Sequence, residues 1–192
     1  LNAQQVQLSY RPAIEDPLAD QPMVETLHAD AVLICGGVRS YQLARQVGDR
    51  VNIYPVKGYS ITVNLQDEQS QKQAPWVSLL DESAKIVTSR LGTDRLRIAG
   101  TAEFNGYNRD IRHDRIQPLV RWVQRNFDIS TESVVPWAGL RPMMPNMMPV
   151  IRQGQHPRVF YNTGHGHLGW TLSAATALMI SQEIAQHYPV TG

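Results

Sequence analysis

The chain has 192 residues, enough for a substantial core in one domain or two small ones. Its 18 Lys and Arg against 17 Asp and Glu leave a formal charge of +1 with no basic block, which argues against nucleic acid as a partner. No run approaches the ~18 consecutive apolar residues of a membrane span, and the first residues lack the basic-then-apolar pattern of a secretory signal.

Val6, Leu8 and Tyr10 alternate with polar residues as a half-buried strand does, and Arg11 to Pro22 reads as a Pro- and Asp-containing loop. A second strand is expected over Met23 to Leu27. Ala31 to Cys35 is short and continuously apolar, the pattern of a parallel strand covered on both faces, and Gly36-Gly37 ends it. Cys35, the single cysteine, has no intrachain disulfide partner and is expected as a buried, inert thiol, which favours a reducing compartment. Ser40 is placed to cap a helix through Val47, closed by Gly48.

From Val51 the texture becomes that of an antiparallel sheet. Strands are expected over Ile53–Leu65, Trp76–Asp81, Ala84–Arg90 and Arg95–Phe104, with 91–94 as a hairpin connection and Gln66 to Pro75 as a solvated loop. Ile116, Leu119, Val120, Val123 and Phe127 mark an amphipathic helix, with Asp114 as a candidate cap and Pro118 tolerated in the first turn. Val134 to Leu140 resumes extended structure, Pro142 to Pro149 reads as a loop, and Val159 to Asn162 as a strand. A final helix from Trp170 to about His187 is expected to bury Leu172, Thr176, Met179, Ile180 and Ile184. Two α/β-like ends around an antiparallel middle give an α/β (α+β) chain with an inserted domain. The expected boundaries are 1–50, 51–137 and 138–192.

Gly164, Gly166 and Gly169 fit G-x-G-x-x-G between a strand and a helix. The dinucleotide fingerprint also needs a second parallel strand carrying an acid, and the residues after Gly169 read as one helix and a tail. What remains is a turn that admits close approach to its backbone and a helix start with free N–H groups, or equally a glycine turn without a ligand. Arg141 sits between a strand and Pro142, a stiff backbone suited to bidentate carboxylate binding; an ordinary surface or paired arginine has the same pattern. His165 and His167 lack partners at metal-ligand spacing, so no metal site is expected. The Tyr59 hydroxyl is a candidate ligand contact, or the wet tip of a strand tyrosine.

Together, A-D-A-V-L-I-C-G-G at 29–37, Y-P-V-K-G-Y-S-I-T at 54–62, R-L-R-I-A-G-T-A-E-F at 95–104, W-A-G-L-R-P-M at 137–143 and N-T-G-H-G-H-L-G-W-T at 162–171 resemble the FAD-dependent D-amino acid dehydrogenases, within the wider amine and amino acid oxidoreductases. The resemblance implies an FAD-binding sheet-and-helix domain with an inserted antiparallel substrate domain, and oxidative deamination of D-amino acids to 2-oxo acids and ammonia. Electrons would pass to a quinone or other respiratory acceptor, from a cytoplasmic protein peripheral to the inner membrane. By the same likeness Gly36, Gly37, Gly164, His165, Gly166, His167 and Leu168 lie along the FAD, while Arg141 holds the substrate carboxylate and Tyr59 is a further catalytic candidate. Lys57 and the helix start at Gly166 are the candidates for positive charge near the flavin. Met144-Pro145-Asn146-Met147 departs from the family's usual M-T-P-D-G, which bears on substrate size. The family's leading strand-glycine-helix is absent, so the chain is expected to be the C-terminal half of such an enzyme. The rival readings are an oxygen-reducing oxidase of glycine, sarcosine or D-amino acids, and a catalytically silent fragment.

Overall fold

The structure is a computed structural model and describes residues 5–11 and 23–189. Most of the loop expected from Arg11 to Pro22 lies outside the described residues. The chain divides into two compact units, one formed by residues 1–53 and 142–192, the other by Tyr54–Arg141.

In the first unit, β1 (Val6–Tyr10) pairs antiparallel with β2 (Glu25–Ala29). A separate sheet contains β3 (Val32–Ile34), β9 (Val150–Gln153) and β10 (Val159–Thr163), in the order β3-β10-β9. β10 is parallel to β3, with Tyr161 beside Ile34, and antiparallel to β9. The strand β9 was not foreseen, because its four residues carry no alternation of their own; it exists through pairing with β10. After β3, Gly37 takes φ +54 and a 3-10 turn leads into α1 (Ser40–Gln46). Ser40 is not the cap: it is the first helical residue, fully buried, and its Oγ accepts from the Thr163 hydroxyl at 2.8 Å. Cys35, just past the end of β3, is exposed, contrary to expectation, although its neighbour Ile34 is buried in the core. α4 (Gly169–His187) packs on β9 and β10 and buries Thr176 and Ile180. Leu172 and Ile184 are only half-buried, and Met179 is exposed. Asp49 ties this unit together: its carboxylate accepts from the Tyr161 hydroxyl at 2.7 Å and from the Gln155 N–H at 3.0 Å. Burial, followed by the bond to Asp49, pushes the Tyr161 phenol well up.

The second unit is built on a five-stranded sheet in the order β5-β6-β7-β4-β8, made of β4 (Tyr54–Asn64), β5 (Leu80–Asp81), β6 (Ile86–Leu91), β7 (Arg95–Phe104) and β8 (Val134–Met143), whose last two residues, Pro142 and Met143, belong to the first unit. α3 (His113–Asn126) packs on β4 and β7. Tyr59, Ile61, Val63, Leu96 and Ile98 meet Ile116, Leu119, Trp122 and Val123 in one core, the outcome of strand period two against helix period 3.6. The Trp122 indole donates to Asp81 at 2.8 Å, and Asp114 lies in the first turn of α3 rather than capping it. The expected solvated loop at 66–75 contains α2 (Glu68–Gln73), capped by the Asp67 carboxylate, which accepts from the Ser70 N–H at 2.7 Å. The strand expected from Trp76 shrinks to Leu80–Asp81; the exposed Trp76 ring instead stacks against Arg90, 3.8 Å away.

Candidate functional site

Each unit presents a group of the residues singled out in the sequence. In the first unit, β3 and β10 run parallel and side by side, so their C-terminal ends open at the same edge. There the chain turns through Cys35–Gly37 and through Gly164–Leu168. In open α/β sheets ligands bind outside the carboxyl ends of the strands. Gly164 and Gly166 have φ +80 and +60, the left-handed region that glycine adopts without cost. A side chain on Gly166 would meet the Met143 sulfur at 2.7 Å, and one on Gly164 would meet Met144 Cγ at the same distance. The Gly166 N–H donates to the Pro142 carbonyl at 3.0 Å, fixing the turn.

His165 is half-buried and bonded through Nε2 to Thr176 Oγ1 at 3.2 Å. The Thr176 hydroxyl donates to the Leu172 carbonyl at 3.0 Å, which leaves His165 Nε2 as the donor of that contact. Burial lowers the His165 pKa, which favours the neutral ring, and its bond to Thr176 braces the turn against the helix. His167 and Leu168 are exposed. Leu168 occupies the N-cap of α4 and supplies no capping side chain, so the first-turn N–H groups of Gly169, Trp170 and Thr171 have no side-chain acceptor at the cap. Two residues before Gly164, the buried Asn162 Oδ1 has no hydrogen-bond partner among the described residues. Left-handed glycines, an uncapped helix start and an orphaned acceptor fit a ligand with both anionic or electron-rich oxygens and donor groups, as FAD has. Among the described residues no cluster of His, Cys, Asp or Glu has the geometry to hold a metal ion.

In the second unit, Arg141 lies near the end of β8 and Gly58 lies on β4, the neighbouring strand. The Arg141 guanidinium crosses Gly58 and donates through Nη1 to the Thr101 carbonyl of β7 at 3.0 Å. Register explains the reach. Lys57 faces Glu103 but Tyr59 faces Gly100, so Gly58 alone opposes both Thr101 and Ala102 in a β-bulge. Thr101 carries the strain of that bulge at φ +67, a rare conformation for a β-branched residue. Arg141 has no ion pair among the described residues, and its half-buried position pulls its pKa down. Arg141, Thr101 and Lys85 line a cavity of about 390 Å³ whose walls include Ile86, Val87, Ala99, Pro118 and Leu119. Lys85, at φ +55, is also left-handed, so two strained backbones border this one cavity. Such strain clusters where surroundings over-determine the backbone, functional sites above all.

Tyr59 is placed differently from the expected ligand contact. It is 1% exposed, within the core between sheet and α3, and its hydroxyl donates to Glu103 Oε2 at 2.5 Å. Lys57 is fully buried; its ammonium meets Glu103 Oε2 at 3.1 Å, Asn108 Oδ1 at 2.9 Å and the Asp110 carbonyl at 3.0 Å. Its charge is spent on Glu103, so it is no free source of positive potential. Arg112 adds a bond to Glu103 Oε1 at 3.1 Å. The Tyr59 bond and then Lys57 and Arg112 hold the Glu103 carboxyl below the usual range against the opposing effect of burial. Burial lowers the Lys57 pKa, but bonds to Tyr59 and Glu103 outweigh it and raise the net value. Sequence reading missed Gly58, Thr101 and Glu103. The only local signal was a glycine inside a strand pattern, which marks a bulge or a close approach.

The profile of the FAD dependent oxidoreductase family matches residues 6–183. The chain is 62% identical over 167 residues to D-amino acid dehydrogenase 3 of Mesorhizobium japonicum, covering 86% of this chain and 40% of that protein. It is 42% identical to D-amino acid dehydrogenase of Dechloromonas aromatica, covering 86% of this chain and 39% of that protein. The chain thus spans about two fifths of the length of these curated relatives. Its fold matches glycine oxidase from Geobacillus kaustophilus with a TM-score of 0.71 at 20% identity, over 87% of this chain and 44% of the other. Iminodiacetate oxidase from Chelativorans sp. BNC1 matches with 0.73 at 16% identity, over 88% and 46%. With its glycine turns at the ends of parallel strands and a family profile running almost its whole length, the chain belongs to the FAD dependent oxidoreductase family.

Proposed function

We propose that the protein carrying this chain oxidises D-amino acids to 2-oxo acids and ammonia, and passes the electrons to a respiratory quinone rather than to oxygen. The observation that carries this reading is Arg141: a half-buried guanidinium on a rigid strand, held by one backbone carbonyl, without a carboxylate partner among the described residues, at the wall of a cavity. Its remaining N–H groups, without a hydrogen-bond partner among the described residues, would take a substrate carboxylate in charge-assisted bonds. The D configuration and the dehydrogenase assignment come from the names of the relatives at 62% and 42% identity.

Gly36, Gly37 and the turn from Gly164 through His165, Gly166 and His167 to Leu168 would hold the FAD. Bound there, FAD supplies the two-electron acceptor for the hydrogen on the substrate α-carbon. The uncapped N–H groups at the start of α4 would stabilise negative charge on a nearby oxygen, and His165 keeps the turn against the helix. Residues 54–141 would be the substrate domain and the flanking segments part of the FAD-binding domain. In this reading Tyr59 shapes the substrate domain from within its core and does not touch substrate. A quinone acceptor implies peripheral association with the inner face of a bacterial inner membrane; no helix among the described residues is long and apolar enough to cross one.

The test is Arg141→Lys in the full-length protein. Losing a bidentate pair worth about 2–3 kcal/mol should lower kcat/KM on D-alanine by roughly two orders of magnitude. Near-normal kinetics would place the carboxylate elsewhere. Anaerobically reduced enzyme should re-oxidise faster with a quinone analogue than in air. Hydrogen peroxide release at the quinone rate would replace the dehydrogenase by an oxidase, and no bleaching by any D-amino acid would remove both.

A further inference from the structure

We propose that Gly58 is a positioning residue for substrate binding: its missing side chain creates the slot across β4 in which the Arg141 guanidinium lies, and the bulge opposite supplies the carbonyl that orients it. The proposal rests on the reading of Arg141 as the carboxylate ligand.

A Cβ on Gly58 would overlap Arg141 Cζ and Nη2 and come within 2.5 Å of Nη1, closer than real side chains approach. The slot exists because β8, β4 and β7 are neighbours in that order, so an arginine on β8 reaches β7 only by passing over β4. At any other residue type the passage is closed. The bulge completes the device. With Thr101 and Ala102 both opposite Gly58, one more residue is present on β7 than β4 can pair, and Thr101 is forced to φ +67. Its carbonyl then accepts from Arg141 Nη1 at 3.0 Å. The next pair toward the strand ends, Lys57 with Glu103, is locked by the buried ion pair at 3.1 Å. Gly58 and the bulge therefore sit against a fixed anchor.

The consequence of filling the slot follows from what the methyl group would meet. It meets the far end of a flexible side chain and not backbone, so β4 stays in place and the guanidinium moves out. Losing well-aligned charge-assisted hydrogen bonds to a carboxylate weakens its binding roughly 10- to 100-fold. In Gly58→Ala the expected loss is therefore confined to the carboxylate. KM for D-alanine should rise about 10- to 100-fold, with a much smaller change in kcat.

The experiment uses the full-length, FAD-loaded enzyme, and calorimetric titration with propionate and, as its uncharged counterpart, propionamide. Gly58→Ala should weaken propionate at least 10-fold and leave propionamide within about twofold. In an Arg141→Lys background, where no planar group lies over β4, the same alanine should have little further effect. Thr101→Gly, which relaxes the left-handed residue and frees its carbonyl, should weaken propionate in the same selective way and serves if Gly58→Ala does not fold. Unchanged propionate binding in Gly58→Ala, or equal weakening of propionate and propionamide, would overturn the proposal while leaving the role of Arg141 standing. If Arg141→Lys itself left propionate binding intact, the underlying reading of the site would fall first and this inference with it.

Discussion

Lys57→Met is the most informative perturbation of the second unit, because it keeps the apolar stem of a fully buried residue and removes only its charge. The ammonium has three acceptors, Glu103, Asn108 and the Asp110 carbonyl, all within 3.1 Å. Removing it leaves the Glu103 carboxylate buried with the Tyr59 hydroxyl and the partly exposed Arg112 as its closest bonded partners. Breaking a buried pair costs ~3–5 kcal/mol, and Arg112 places this case at the lower end, about 3 kcal/mol. For a domain of this size that is a fall in Tm of roughly 12–24 °C. Thermal unfolding followed by tryptophan fluorescence suits the assay, since Trp122 is buried in the same core. The segment from Asn108 to Asp110, which loses two bonds, should also become more open to proteolysis. A Tm lowered by less than ~4 °C, equivalent to about 1 kcal/mol or less, would mean that Glu103 does not depend on Lys57 and that the buried pair is not the anchor of this sheet.

Glu103→Gln should narrow the stability difference from wild type in acid. The folded Glu103 carboxyl is held below its usual range, so its contribution is complete above the ordinary glutamate pKa of ~4.3 and fades as pH falls through the lower folded value. The Tm gap between the two proteins should be widest near neutrality and close only below about pH 4; a gap unchanged from neutral pH into strong acid would contradict the assignment. Asp67→Ala removes the cap of α2 and should cost about 1 kcal/mol, read by denaturant titration, whereas Asp67→Asn should recover most of it. Equal losses in both would indicate that the charge, and not the capping bond, is what matters at this position.

Local pattern carried much of this chain. The alternation in Arg95–Phe104 and the helical spacing of Ile116, Leu119 and Val123 are properties of consecutive residues, so strand and helix were legible from period alone. Gly36, Gly37 and the Gly164–Gly169 turn were legible for the same reason, because glycine between a strand and a helix marks backbone freedom directly. Arg141 stood out by its strand-to-proline setting. Other features depend on partners far along the chain. That Cys35–Gly37 and Gly164–Leu168 open at one edge follows from the parallel pairing of Tyr161 with Ile34, residues whose own neighbours say nothing of each other. β9 is a strand only because β10 lies beside it. Tyr59 read as a ligand contact or a wet-tipped strand tyrosine and Lys57 as a source of charge near the flavin, yet the fold buries both, since Glu103 arrives from β7 with a charge that makes burial of an ammonium tolerable. Gly58 shows the division most plainly. The sequence determined that a side chain is missing there. Only strand order and a bulge on another strand decided that an arginine from a third would fill the space, because register is a long-range property and a one-residue shift redirects every side chain after it.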